Sequence, residues 1–559
     1  MVLVLLNWIF LGSTLFGLGF FCMRLVRRWT SYWICDLGSI VAMGIVLATV
    51  YAQVWSLFGG VGILADGVLW VFCVAVLCAS RKELAEWIKT KKKASPMWSG
   101  VVLITVCLWA YCTSRGYMHY DSDLYHAQSI RWIEEYGIVK GLGNIHVRFA
   151  YNSSFFALSA LYSMPWLFGQ SMHCVNGFMA LLLCLETLKI GKAWKQKRLM
   201  LSDYARIAAL YYLTLIYGEI TAPASDYASM CTIFYLVIKW LSQIEENNFE
   251  KSVQDLDKDA DITPYVLLCV GGVFAVSLKL TAGLILLLVL KPAYRLLQKK
   301  QWKEIVCYLF VGSAVIAPWL IRNVLLSGYL LYPFPALDLF DVDWKIPAAT
   351  AALDAAEIKT WGRGLNDASL VTLPIWQWFP TWFRTILSTS QKLLILADLL
   401  CLVIGGISIL HKRNKERIDV VLVWITIAVS FLFWLFSAPL LRYGYAYVLL
   451  LLTITAGSVL EYVAKWWSFT GKVICILLVV AGSVKLLSLG KYIIGSSTQA
   501  YYSRQKDYGR YEMNQFTVEG ISFYYPQSGD RVGYDVFPAV PRKIEITLRR
   551  EGLKEGFRY

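Results

Sequence analysis

The stretch Met97 to Arg115, MWSGVVLITVCLWAYCTSR, runs directly into Gly116 to His126, GYMHYDSDLYH. The first string is apolar over about the 20 residues that a helix needs to cross roughly 30 Å of hydrocarbon. The second gathers His119, Asp121, Asp123 and His126 at the edge of that span. In so apolar a chain, ionisable groups at a membrane boundary are costly to place and are usually kept for chemistry or ligand binding. The pair of strings therefore predicts a membrane helix followed by a functional loop.

The rest of the chain repeats the first half of that pattern. Of 559 residues, 58% are hydrophobic and 16% charged, and the mean hydropathy is +0.54. Apolar runs of about 17 to 24 residues recur throughout, which excludes a soluble globule. The first run, Val2 to Met23, has no basic segment before it and Arg24, Arg27 and Arg28 after it, so it reads as a retained span rather than a signal peptide. The net charge of +15 sits mostly in short loops between apolar runs, the positive-inside pattern rather than a nucleic-acid-binding face. All 13 cysteines lie in or beside apolar segments without CxxC or zinc spacing, and read as small buried hydrophobes.

Basic loops at 24–28, 81–93, 189–198, 291–303, 412–417 and 465–472 mark one side, taken as cytoplasmic. Spans are then expected near 2–23, 34–57, 61–79, 97–115, 171–188, 205–222, 226–244, 264–281, 283–298, 304–325, 391–410, 418–438, 445–463 and 472–492. The expectation is an all-α polytopic membrane protein of about 14 helices. Asn152 to Gly169 is apolar too, but a crossing there would place the basic run 189–198 on the outer side. It is expected instead to lie in, or dip into, the outer interface. The organisation is thus an N-terminal three-helix segment at 1–96, a core at 97–492 with outer loops at 115–170 and 327–390, and a tail at 493–559. The tail's period-2 stretches Gly520–Tyr525 and Lys543–Leu548 predict a small β-rich, extracytoplasmic appendage.

Two carboxylates, Asp121 and Asp123, can deprotonate an acceptor hydroxyl, bind a divalent cation, or merely solvate a loop. His126 and Arg131 lie close in sequence. Arg322, with Asn323, and Arg442, with Tyr443, face outward against the positive-inside trend, and a guanidinium matches phosphate bidentately. Either arginine can equally be a topological anchor. Asp226 opens a span from the outer side, as a cap or as a site residue. Lys279 lies deep in its span, where an ammonium requires an anionic partner.

Taken together, these residues resemble the GT-C superfamily of integral membrane glycosyltransferases. More closely, Tyr120-Asp121 to Leu124-Tyr125-His126, Trp132-Ile133 to Gly141-Leu142, Arg148 with Asn152-Ser153-Ser154, Arg322-Asn323 with Ser327-Gly328-Tyr329, Gly529-Asp530-Arg531 and Gly556-Phe557 are similar to an uncharacterised family of bacterial polytopic membrane proteins. The resemblance implies a polyprenyl-phosphate-linked sugar as donor and a cell-envelope glycan, lipid or protein as acceptor. It also implies transfer on the outer face of the inner (plasma) membrane, with no cofactor beyond a possible divalent cation. It puts the catalytic base on Asp121 or Asp123, with Asp121 favoured, and gives Arg148 and Asn152 to sugar or acceptor. Three spans precede the expected first one, and an adjacent Asp-Glu pair is absent. A lipid-linked polysaccharide polymerase or ligase is the second reading and a transporter or flippase the third.

Overall fold

The computed structural model describes residues 1–559 except 31, 35, 92–94, 192–198, 255–260, 411–417, 465–479, 481–483, 486 and 492–499. The chain is mostly helical: α1 Val2–Thr30, α2 Leu37–Ser56, α3 Ile63–Ala79, α4 Arg81–Lys89, α5 Pro96–Arg115, α6 Ala127–Glu135, α7 Ser154–Ser163, α8 Val175–Thr187, α9 Leu201–Ile216, α10 Ser225–Gln254, α11 Thr263–Leu278, α12 Leu280–Gln298, α13 Trp302–Ser327, α14 Ala348–Gly362, α15 Ile375–Thr385, α16 Thr389–Leu410, α17 Ile418–Ser437 and α18 Tyr445–Ala464. Among the described residues seven helices are long and apolar enough to cross a membrane, or eight if α3 and α4, bent by 72° at Ser80, make one span. That is consistent with a polytopic membrane protein. The expected last span, 472–492, falls mostly outside the described residues.

Local chemistry sets the helix starts. Asp36 caps α2 by accepting from the Ser39 amide at 3.0 Å, and Ser95 caps α5 ahead of Pro96. The first two helices touch backbone to backbone: a Cβ on Gly19 would fall 1.9 Å from the Ile40 carbonyl oxygen, and one on Gly44 equally close to that of Leu15. In hydrocarbon, where burial of apolar surface gives no drive between helices, such close approach supplies the packing. One core runs from α1 and α2 through α7, α8, α10 and α11 to α17 and α18.

The helix expected at the outer interface is α7, and all ten of its residues are buried. It packs on α2, α6 and α11, and is too short to span. Residues 154–163 are thus packed inside the protein, while Trp166 and Leu167, later in the same stretch, are exposed. The apolarity of α7 answers to the core.

The tail forms a hairpin, β1 Met513–Val518 with β2 Ile521–Pro526, closed by Glu519 and Gly520, both at positive φ. Two short strands, β3 Thr547–Leu548 and β4 Phe557–Arg558, pair beside it. Most of the expected Lys543–Leu548 strand is therefore irregular. The tail shares a core with the first loop: Phe516, Phe523 and Phe557 pack with Trp132, Leu142 and Phe149. The second loop joins them through Arg549 and Asp343 at 2.9 Å, and through Tyr151 and Asp354 at 2.7 Å. Both loops and the tail thus form one assembly at one end of the helices.

Candidate ionic site at the loop end of the bundle

The motif His119 to His126 does not continue α5 as a regular helix. Ser122–His126 forms a single π-turn leading into α6, a widened turn that often marks functional positions. It sends the two carboxylates to different neighbours. Asp123 is buried against the tail. Its carboxylate accepts from the Gly509 amide at 2.9 Å and the Tyr511 hydroxyl at 2.8 Å, while its carbonyl accepts from Val532 and Gly533. Asp121 instead faces the helix ends.

There it meets Arg442, carried by the short turn Leu441–Tyr443 before α18. The guanidinium donates to Asp121 Oδ2 at 2.7 Å and approaches Asp226 Oδ2 at 3.5 Å. Asp226, in the first turn of α10, is contacted in turn by Lys279. Lys279 sits in the extended break between α11 and the ten-residue 3-10 stretch that begins α12, and its ammonium lies 3.3 Å from the Tyr443 ring centre. Arg148 stands 3.7 Å from Asp121 Oδ1, and the His119 ring contacts Arg442. Five segments, far apart in sequence, so converge on one cluster. Its central side chains, Asp121, Asp226, Arg442 and Lys279, are between 10% and 23% exposed, which keeps them partly desolvated yet reachable.

The electrostatics follow from this crowding. Burial pushes the Asp121 carboxyl up, but Arg442, His126 and His119 together pull it below its usual value. Burial and then the Arg442 cation push His119 down, so it is neutral near pH 7. Burial drives His126 to about 3. Burial also opposes the charge on Arg442, and Tyr443, Asp226 and Asp121 more than restore it.

Of the residues singled out from sequence, Asp121, Asp226, Lys279, Arg442, Tyr443 and Arg148 come together. His126 lies behind them with its ring against Tyr125 and Phe156. Asp123 and Arg131 belong to the tail's docking face. Arg131 donates to the Tyr534 and Asp535 carbonyls at 2.6 and 2.7 Å and stacks over Tyr534 and Phe537. Asn152, Arg322 and Asn323 form a separate internal knot. Arg322 is 2% exposed, donates to Asn152 Oδ1 at 3.1 Å and to Ser56, and has no acidic partner among the described residues. Asn152 also bridges Trp319 and Asn323. A lipid phosphate cannot reach Arg322 in this arrangement, so the knot braces α13 against α2 and the first loop.

Sequence reasoning passed over the pair Glu219 and Tyr227, whose hydroxyl donates to Glu219 at 2.8 Å. The one signal for Tyr227 was its position beside Asp226. No group of three or more His, Cys, Asp and Glu that could hold a metal ion occurs among the described residues. Between Asp121 and Asp226 a guanidinium takes the place a cation would need.

No curated protein and no solved structure matches the chain. The sequence profile of a domain of unknown function, DUF8201, matches residues 1–449, which take in α1 to α17 and every member of the cluster. The chain belongs to the DUF8201 family.

Proposed function

We propose that the protein is an integral membrane glycosyltransferase that moves a sugar from a polyprenyl-phosphate donor to a cell-envelope glycan, lipid or protein acceptor. In this reading the helices make a GT-C-like bundle of about 14 spans in the plasma membrane, with both loops and the tail on the outer face. The observation that carries it is Arg442 held between Asp121 and Asp226, with Lys279 and Arg148 alongside, at the partly open loop end. Three cations at a hydrocarbon boundary suit a lipid-linked phosphate, and a guanidinium suits it best.

The donor phosphate takes up Arg442 and Lys279, and its prenyl chain runs between the helices. The acceptor oxygen attacks the anomeric carbon, the bond from that carbon to the phosphate oxygen breaks, and polyprenyl phosphate leaves with the electron pair. Asp121 receives the acceptor's proton. Its pairing with Arg442 looks adverse, since a depressed carboxyl is a weak base. Donor binding reverses this: once phosphate shares Arg442, part of the pull on Asp121 is lost while the push of burial remains. Base strength is thereby tied to donor occupancy, and Arg442 and Lys279 stabilise the charge on the leaving phosphate.

A lipid-linked polysaccharide polymerase or ligase is favoured by one observation, the contact of His119 with Arg442, because such chemistry leans on Arg and His instead of a carboxylate. Mass spectrometry of lipids retained by the purified protein tests the donor site. Polyprenyl phosphate should accompany the wild type and be lost from Arg442→Ala. Equal retention by both removes Arg442 from the donor site.

A further inference from the structure

At the opposite, basic end of the bundle a cavity of about 640 Å³ opens among α1, α2, α10, α11 and α13. Its wall grades from polar to largely apolar. Asp36, Ser39, Lys239 and Gln243 stand at the end nearest the basic loops, whereas Ile45, Phe274 and Val315 close the deep end. An ordered water needs two to four polar partners, and the deep wall offers little beyond the Thr232 hydroxyl, which already bonds the Ala228 carbonyl. The cavity also has a side entrance. Leu25 and Trp29 on α1 and Val311 on α13 line it while being 42%, 73% and 38% exposed on the outer surface of their helices. On α13 that surface continues through Val306, Leu309 and Phe310, so the phase beside the opening is hydrocarbon.

From this geometry we infer a lipid site: one hydrocarbon chain of an anionic glycerophospholipid enters between α1 and α13, with its phosphate at the basic end. A volume within the usual 300–1,000 Å³ range of ligand cavities suits a single chain. Arg27 and Arg28, in the last turn of α1 next to the lining residues Trp29 and Thr30, supply the charge complementarity for the head. Lys239 is already paired with Asp36 at 2.9 Å and Glu186 at 3.8 Å, so the charge for the head comes from the end of α1. The site is independent of the chemistry assigned to the loop end.

Filling the cavity tests it. The full chain is reconstituted with phosphatidylglycerol, then delipidated by extended detergent washing, and the bound lipid is counted by native mass spectrometry. The wild type should retain one phosphatidylglycerol, and Leu393→Trp, on the exposed face of α16, should match it. Ala42→Trp and Val270→Trp, which fill the cavity from α2 and α11, should each weaken retention at least about tenfold, a loss of about 1.4 kcal/mol. Two walls guard against one variant failing to fold, and size-exclusion profiles identify such a failure. Retention by the folded filled variants equal to the wild type overturns the proposal. Phosphatidylcholine held as firmly as phosphatidylglycerol overturns the anionic head.

Discussion

At the basic end of the bundle Asp36 is met by Lys189 and Lys239 at 3.0 and 2.9 Å, while Arg206 joins Asp203 at 2.9 Å and Glu186 at 3.4 Å. At the loop end Asp121 and Asp226 are met by Arg442, Lys279 and Arg148. The two knots hold similar groups and differ in what else the groups do. Asp36 caps α2 through the Ser39 amide and hydroxyl, and Asp203 accepts from the Met200 amide at the start of α9. Those carboxylates have helix-capping jobs that explain their presence. Among the described residues Asp121 accepts from no backbone amide, and it opens a turn that departs from α-helix; Lys279 sits where α11 breaks off. Local structure is given up at the loop end to aim side chains at one another, a pattern expected where function, more than stability, sets the arrangement.

The largest effect that separates the knots is loss of the shared cation. Arg442→Ala should lower transfer by about 10³, as removal of a preorganised charge does, with a smaller loss for Arg442→Lys, because a point charge replaces the fork. Asp36→Asn should leave turnover per folded molecule near normal while reducing the folded yield, since two ion pairs are lost although Asn can still cap α2. Steady-state rates normalised to folded protein decide between these outcomes.

Next in size is the tail. Asp123→Asn weakens charge-assisted bonds to Gly509 and Tyr511, worth roughly 1.5–3 kcal/mol when made to an ionised group. Limited proteolysis should then cut within residues 505–559 several times faster, with donor-lipid retention unchanged. Equal protection would mean that the aromatic core around Trp132 alone holds the tail.

The smallest effect is electrostatic. The Asp121 carboxyl is held below its unfolded value, so its ion pair contributes fully above about pH 4, the ordinary carboxylate range, and is lost as pH falls through the folded value. The melting-temperature gap between wild type and Asp121→Asn should therefore be flat from pH 7 to about 5 and close at lower pH. A gap that closes between pH 7 and 6 would point to His119 instead.

Much of the loop-end cluster was legible because an ionisable residue at the end of an apolar run carries its own cost. Asp121, Asp226, Lys279 and Arg442 each stood out on that ground alone. Spacing failed two residues further on. Asp123 looks equivalent to Asp121 in sequence, but the π-turn rotates it toward a tail 386 positions away, and no local pattern encodes so distant a partner. Arg131, close to the motif in sequence, turns to the same tail. Arg322 drew attention as an outward-facing cation, yet its partners, Asn152 and Ser56, come from loops and helices whose approach is a tertiary matter. For α7 the apolar run was clear; whether protein or lipid surrounds it was not, because both demand the same residues.

The central claim is that Asp121 and Asp123, two residues apart, are a base and a structural tether. A transfer assay with the membrane-reconstituted protein, run on Asp121→Asn and Asp123→Asn side by side, tests it most directly. The account predicts that Asp121→Asn loses about 10² or more in rate while it retains donor lipid, and that Asp123→Asn stays within about tenfold of the wild type. Near-normal turnover in Asp121→Asn, with activity abolished in Asp123→Asn, would contradict it.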